Sequence, residues 1–406
     1  MKRLIFHIDV NSAFLSCTAA ALFKAGKPDI REVPSAIGGD LERRAGIILA
    51  KSIPAKKYGV VTGEPIGLAL RKCPNLLIFP PDFRLYAENS QAFMEICAHY
   101  SPLVEQYSID ECFLDMSGME LLFASPLKAA HEIRQRIKNE LGFTVNVGIG
   151  ENKLLAKMAS DFSKPDKVHT LYVDEIKDKM WPLPIGDLLY VGPATAARLQ
   201  RVGIRTIGDV ARYQLKTLQD IVGDKAGEQL FNYVRGRDDS AVASKPSEIK
   251  CLSISTTLPN DILSMELAFS VIYALTENLT YRLRKAGKRA GTISVTIRGN
   301  DFKDRSHQRR LMEPTDITRE IITIAKDLLK ELWDEKLPLR LIGLSLGHLA
   351  AVAGEPALFP DEKREKARRL EAAVDALKHK FGAGAIFMGG AAERPELRER
   401  ADKRGK

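Results

Sequence analysis

The sequence predicts a multi-domain α+β protein, and three observations lead there. Residues 1–165 alternate short apolar runs of strand character with amphipathic helical stretches. Residues 166–236 read as a smaller all-helical module. After a polar, aperiodic stretch at 237–248, suited to a linker, the strand-and-helix pattern restarts and runs to about 350. A chain of 406 residues exceeds one ordinary core, so roughly two to four domains are expected.

In order, Leu4-Ile5-Phe6-His7-Ile8 is a run of bulky and β-branched residues that ends in Asp9, a short strand followed by a helix. Residues 31–75 mix short strands with a helix, punctuated by Gly38-Gly39, Gly46, Pro54 and Gly59. Pro80-Pro81 breaks the chain before a helix from about Arg84 to Tyr100. A second strand carries Asp110-Glu111-Cys112-Phe113-Leu114-Asp115. An amphipathic helix is expected at 126–141, a strand at Thr144–Ile149, and a helix at Lys153–Phe162 that stops before Pro165. Such alternation indicates a mixed sheet covered by helices. Beyond the linker come a strand at 249–257, a helix at 264–286, a strand at 291–298, a helix at 316–333 and a strand at 339–347. From Ala351 the pattern is loose, with a helix at 361–380 and a charged tail.

Apolar residues make up 45% of the chain, which excludes a largely disordered protein. The formal charge of +9 favours a polyanionic partner such as nucleic acid. Five scattered cysteines without CxxC spacing argue against a disulfide framework or a zinc site and for a reducing cytoplasm. The apolar run after Met1-Lys2-Arg3 is too short for a signal peptide, and no run could span a bilayer, so no membrane association is expected.

The chemistry centres on Asp9 and the pair Asp110–Glu111. Two strands paired side by side would bring these carboxylates to one edge of a sheet. Clustered carboxylates repel unless a cation neutralises them. Hard oxygen donors suit Mg²⁺ shared with substrate phosphates, the arrangement of two-metal phosphoryl or nucleotidyl transfer. An Asp-Glu pair by itself is more often a solvated turn. Neighbouring strand residues also face opposite ways, so these two could share a site only at a hairpin tip or a twist.

Val191-Gly192-Pro193-Ala194-Thr195 and the following residues to Asp209 resemble a helix-hairpin-helix, whose turn offers backbone N–H groups to a DNA phosphate. Tyr190 stands where the usual hairpin has its first Gly. A helical packing unit without DNA contact is the plainer alternative. Ten basic residues between 281 and 310, among them Arg289, Arg298 and Arg309, span a helix end, a strand and a loop and suggest a phosphate-tracking surface. A solvated helix face is the ordinary fate of such a run. Gly148-x-Gly150 alone indicates only a strand-to-helix turn. Lys153 and Lys157 share a helix face and Lys164 follows it, placed to neutralise a triphosphate.

Together these segments resemble the Y-family of DNA polymerases, the translesion enzymes of the DinB/UmuC type, in order over nearly the whole chain. Ile8-Asp9-Val10-Asn11-Ser12-Ala13-Phe14 resembles the family's first metal motif and Ser108-Ile109-Asp110-Glu111 its Ser-x-Asp-Glu signature. Lys51–Gly59 resembles its fingers motif, and Gly148–Pro165 a palm segment ending in Lys-Pro. The resemblance implies a right-hand polymerase: palm at 1–13 and 76–165, fingers at 14–75, helix-hairpin-helix thumb at 166–236, linker at 237–248, little finger at 249–350 and a tail at 351–406.

It further implies that Asp9, Asp110, Glu111 and the Val10 carbonyl hold two Mg²⁺, with Mn²⁺ as an alternative. Phe14 would be the steric gate against ribonucleotides, and Lys56 and Lys164 would contact the triphosphate. Gly192, Thr195, Arg289, Arg298 and Arg309 would meet DNA. Asn11 stands where many members have a second acid, and Ile53 and Lys56 replace the Tyr and Arg of the fingers pattern. Glu355-Pro356-Ala357-Leu358-Phe359 resembles a clamp-binding peptide with Leu358 and Phe359 as anchors and Glu in place of Gln.

The expected protein is a monomeric, cytoplasmic, nucleoid-associated DNA polymerase. It would extend primed template DNA with dNTPs, distributively and at low fidelity, without proofreading, in damage tolerance. Two competitors are a catalytically silent DNA-binding or clamp-associated factor of polymerase shape and a nucleotidyl cyclase-type enzyme. The carboxylate triplet opposes the first; the helix-hairpin-helix and basic second domain oppose the other.

Overall fold

Residues 5–10, all buried, form the strand on which the first sheet is built. The computed structural model describes residues 3–39, 46–119, 122–123, 125–244, 248–351, 361–382 and 385–391. They fall into two units, one of residues 1–38 and 48–246, the other of 39–47 and 247–406.

The first unit begins with β1 (Ile5–Val10) and α1 (Ala13–Lys24), then β2 (Ser35–Gly38), β3 (Ile48–Lys51), α2 (Ile53–Lys57), α3 (Ile66–Lys72) and β4 (Leu77–Phe79). It continues with α4 (Phe83–Ala98), β5 (Val104–Gln106), β6 (Glu111–Asp115), α5 (Pro126–Leu141), β7 (Val145–Gly150), α6 (Lys153–Asp161) and β8 (Val168–Leu171). The main sheet has the order β5-β6-β1-β7-β8, with β1 central and antiparallel to both neighbours. Alternation sorts its side chains. Phe6, Ile8, Cys112, Leu114, Val145, Val147 and Ile149 pack with Phe93 and Ile96 of α4 and Ile133 and Ile137 of α5. His7, Asp9 and Asn146 lie on the other face, which α6 covers. That helix sits very close: a Cβ at Gly148 would fall 2.0 Å from the Ala156 carbonyl oxygen, so the glycine pair serves close approach rather than a turn. A smaller sheet, β3-β2-β4, carries α2 and α3.

The structure departs from the sequence expectation in several places. Residues 168–171 are not part of an all-helical module; they form β8, parallel to β7 at the sheet edge. Helices begin afterwards, with α7 (Pro193–Arg201), α8 (Ile207–Val210), α9 (Leu215–Val222) and α10 (Asp224–Tyr233) around Leu199, Ile207, Leu218 and Leu230. The described part of the 237–248 stretch is not a free linker either. Val242 is buried against Ile5, Phe113 and Ala156. Asp238 Oδ2 accepts from the Leu154 N–H at the start of α6 (3.1 Å), and Glu105 Oε2 accepts from the Ala243 N–H (2.7 Å). One valine and one capping aspartate anchor a segment whose composition looks like a tether.

The second unit contains β9 (Cys251–Ile262), α11 (Met265–Lys285), β10 (Lys288–Gly299), β11 (Asp304–Thr315), α12 (Thr318–Leu332), β12 (Leu339–Ala351) and α13 (Glu362–Phe381). Its sheet runs β11-β10-β12-β9, all antiparallel, with α11 and α12 packed on one face. The loop expected after 298 is therefore wrong beyond Asp304: β11 pairs with β10 over most of its length, although most of its residues are polar and exposed. α13 buries no residue of its own and docks through ion pairs instead: Arg364–Glu320 (2.9 Å), Arg368–Asp316 (3.4 Å) and Arg284–Asp375 (2.6 Å). Leu358 and Phe359 lie outside the described residues.

Candidate active site

The ladder between β1 and β6 sets Asp9 directly opposite Glu111. Residues 107–110 form the turn from β5 into β6: Tyr107 and Ser108 both donate their N–H to the Glu111 carbonyl, at 2.9 and 3.1 Å. The Asp110 carbonyl accepts from the Val10 N–H at 2.9 Å, which locks this hairpin tip to β1. The side chains of Asp110 and Glu111 do not converge. Asp110 Oδ1 accepts from the Ser108 hydroxyl at 2.6 Å and borders a cavity with Val10, Ala13, Phe14, Tyr86 and Phe143. Among the described residues, no three acidic, histidine or cysteine side chains converge closely enough to hold an ion as they stand.

Cations from α6 and the following turn stand against the pair that does meet. Lys157, itself buried, places Nζ 2.9 Å from Glu111 Oε1, 3.4 Å from Asp9 Oδ2 and 3.5 Å from Asp161. Lys164 Nζ lies 2.8 Å from Asp9 Oδ2 and 2.9 Å from Asp161. Burial pushes the Asp9 carboxyl up to about 6, against the pull of Lys164 and Lys157. Burial acts the same way on Glu111, but the neighbouring His7 ring and the hydrogen bond from Lys157 outweigh it and hold that carboxyl well below its usual range. Burial lowers both lysines less than Asp9, Glu111 and Asp161 raise them, so both stay charged. His7, wholly buried, is pushed down to about 4 by burial and is neutral.

The donor set fits a hard divalent cation. Two carboxylates meet, a third lies one residue along the same turn, and Asp9 carries more burial penalty than two lysines relieve. Asn11, in place of a second acid, is used otherwise: its side chain donates to Asn146 Oδ1 (3.1 Å) and accepts from Thr144 (3.0 Å) and the Asp166 N–H (2.9 Å).

Phe14 stacks on Tyr86, ring centroids 4.6 Å apart, and both line the cavity that Asp110 borders. Ile53 and Lys56 are exposed on α2, whose N-terminus Ser52 caps. Gly192 caps α7 and Thr195 lies in its first turn. Tyr190, in the glycine position, takes φ +68° and sets its hydroxyl 3.2 Å from that of Tyr107. The three arginines expected to meet DNA separate. Arg298 is on the sheet face opposite the helices, paired with Asp304 at 2.6 Å. Arg309 shares a face with buried Ile293 and pairs with Glu331 of α12 at 2.5 Å, and Arg289 lies 3.8 Å from Asp316. The helix-free face instead carries Ser253, Ser345, Ser294 and Gln308 in one cross-strand row, with Thr292 and Arg310 in another.

Sequence reasoning missed His7, Ser160 and Asp161, named Ser108 only as part of a motif without its contact to Asp110, and assigned Lys157 to phosphate rather than to carboxylate. The signals exist: His7 shares the face of Asp9 by period two, and Ser160 follows Lys157 by one helical turn.

Paired strands with carboxylates at their ends and two lysine ammonium groups beside them are the arrangement of a nucleotidyl-transfer palm. Residues 8–161 match the impB/mucB/samB family, residues 249–358 its C-terminal domain, and residues 186–238 the thumb domain of DNA polymerase-iota. The DNA polymerase IV of Clostridium acetobutylicum is 44% identical over 98% of this chain and 100% of its own length. That of Acetivibrio thermocellus is 36% identical over 96% and 97%. A solved Y-family DNA polymerase chimera superposes with a TM-score of 0.76 at 23% identity, covering 86% of this chain and 99% of its own. The chain belongs to the Y-family of DNA polymerases, among relatives of the DNA polymerase IV (DinB) type. Members of that family depend on divalent metal.

Proposed function

We propose that this translesion DNA polymerase builds its reaction centre from Asp9, Asp110 and Glu111, with the Val10 carbonyl as a further oxygen donor. These residues would hold two Mg²⁺, or Mn²⁺ in their place. The ions supply activation of the primer 3′-hydroxyl and charge neutralisation at the triphosphate. The observation that carries the reading is the Asp9–Glu111 pair across β1 and β6, with Asp9 buried and Glu111 half-buried, facing two lysine ammonium groups.

Asp110 joins the pair by turning from Ser108. Lys164, on the rim beside Asp9, binds triphosphate oxygens as a point charge, and Lys56 reaches them from α2. Phe14, braced by Tyr86, fills the space a ribose 2′-hydroxyl needs. The α7 N-terminus at Gly192 and Thr195 offers amides to a DNA phosphate. The Ser/Thr face of the second sheet, with Arg310 and the Asp304-paired Arg298, suits a duplex backbone better than Arg309, which shares the face of buried Ile293 and pairs with Glu331, or Arg289, which lies beside Asp316. Leu358 and Phe359 would anchor a sliding clamp. A monomer acting on DNA in the cytoplasm, at the nucleoid, goes with this role.

Primer extension on a primed template with Mg²⁺ and dNTPs tests the reading. Extension should be lost in Asp110→Ala/Glu111→Ala while template binding persists. A native chain that binds primed template but extends it with neither Mg²⁺ nor Mn²⁺ would refute it.

A further inference from the structure

The His7 ring is wholly buried between β1 and α6, against Phe113 at 4.6 Å between centroids. Its Nδ1 lies 2.8 Å from the Ser160 hydroxyl. Its Nε2 has no hydrogen-bond partner of good geometry and faces Glu111 Oε2 at 3.5 Å. A buried imidazole nitrogen without a partner is costly and calls for an explanation.

Counting protons resolves it. The Ser160 oxygen is also 2.8 Å from the Lys157 carbonyl, and a hydroxyl has one proton to give. If that proton goes to the carbonyl, Nδ1 must carry the ring proton and donate to Ser160. Nε2, itself shielded from solvent, then points a lone pair at an ionised carboxylate. If it goes to Nδ1, the ring proton sits on Nε2 and points at Glu111. The carbonyl of Lys157 lies inside α6, where the helix ladder serves such groups, so it does not need Ser160.

We propose that Ser160 and His7 form a relay that donates from Nε2 to Glu111 Oε2 and thereby decides which oxygen of Glu111 faces the reaction centre. Oε2 is held by the relay. Oε1, the oxygen that meets Lys157 at 2.9 Å, is left toward the site. His7 is a positioning residue, acting through Glu111. An outer partner of this kind orients a ligand before the ion arrives. The inference rests on the reading of Glu111 as a metal ligand.

Two measurements on the full chain test it. The first is the ¹⁵N–¹H correlation spectrum of the histidine rings, with His7 assigned by its loss in His7→Gln. The proton should sit on Nε2 in the metal-free protein. The second is Mn²⁺ binding, followed by the electron paramagnetic resonance of the free ion. His7→Phe keeps the ring volume and removes the donor, and should weaken Mn²⁺ by roughly 10- to 100-fold. His7→Gln places an amide donor near the Nε2 position and should stay within about threefold of the native chain. A proton on Nδ1, or a folded His7→Phe protein with native Mn²⁺ affinity, overturns the relay. If the native chain binds no Mn²⁺ at all, the metal assignment fails, while the nitrogen spectrum still decides the direction of the His7 hydrogen bond.

Discussion

Gly148→Ala adds one methyl group at the closest contact between β7 and α6. The new Cβ would lie 2.0 Å from the Ala156 oxygen and 2.4 Å from the Ser160 nitrogen, both backbone atoms that cannot swing aside. Restoring ordinary contact requires the helix to back away by about 1.4 Å. α6 carries Lys157 and Ser160 and leads into Lys164, so the groups around Asp9 and Glu111 move with it. Overpacking of this kind costs about 3 kcal/mol, and a displacement near 1 Å at a reaction centre costs roughly 100-fold in rate. Gly67, inside α3 with nothing near its missing Cβ, is the matched control. Gly67→Ala should stabilise by about 0.5–1 kcal/mol through helix propensity alone. Urea unfolding and single-nucleotide primer extension read both quantities. If Gly148→Ala unfolds no earlier than Gly67→Ala and extends primers at the native rate, the tight contact does not hold the site together.

Three further outcomes follow from the same structure. The Asp9 carboxyl, raised to about 6, binds its proton more readily folded than unfolded, so metal-free stability falls as pH rises from about 4 to about 6 and stays lower above that. Asp9→Asn should therefore be more stable than the native chain at pH 7.5 in chelator by about 1–3 kcal/mol, with the gain gone near pH 4; thermal melts at the two pH values check this. Phe14→Ala removes the ring braced by Tyr86 and should raise ribonucleotide relative to deoxyribonucleotide incorporation by at least about tenfold, measured by single-turnover extension with each nucleotide. Arg284→Ala leaves Glu371 and Asp375 without their cation and should free α13 at a cost of about 3 kcal/mol, seen as faster hydrogen exchange across 362–381 with the sheet of that unit still protected.

Elements with strong periodicity were legible from the sequence to within a few residues. The helix expected at 126–141 spans Pro126–Leu141, and Ser125 caps it with Gly142 in the left-handed conformation at its end. The strand expected at 339–347 begins at Leu339 and runs on to Ala351. β11 was hidden because most of its side chains are polar; a strand at an open sheet edge needs only backbone pairing, which leaves no apolar alternation to see. β8 was hidden by its length of four residues, and the 237–244 strap by a composition that only its buried valine contradicts.

The acid residues, their placement at strand ends, and the order of the segments came from the sequence alone, because residue identity and period two are local properties. Which acids meet was decided only by tertiary structure. The register of β1 against β6 places Asp9 beside Glu111, and the hairpin tip turns Asp110 aside onto Ser108. Lys157 belongs to carboxylates rather than to phosphate because Gly148 and Gly150 let α6 approach within reach of them. Arg289 and Arg309 are drawn to acids on neighbouring elements because a sheet has two faces and only pairing says which one a residue takes. These are long-range outcomes, in which groups far apart in the chain compete for the same few ångströms, and no local pattern encodes the winner.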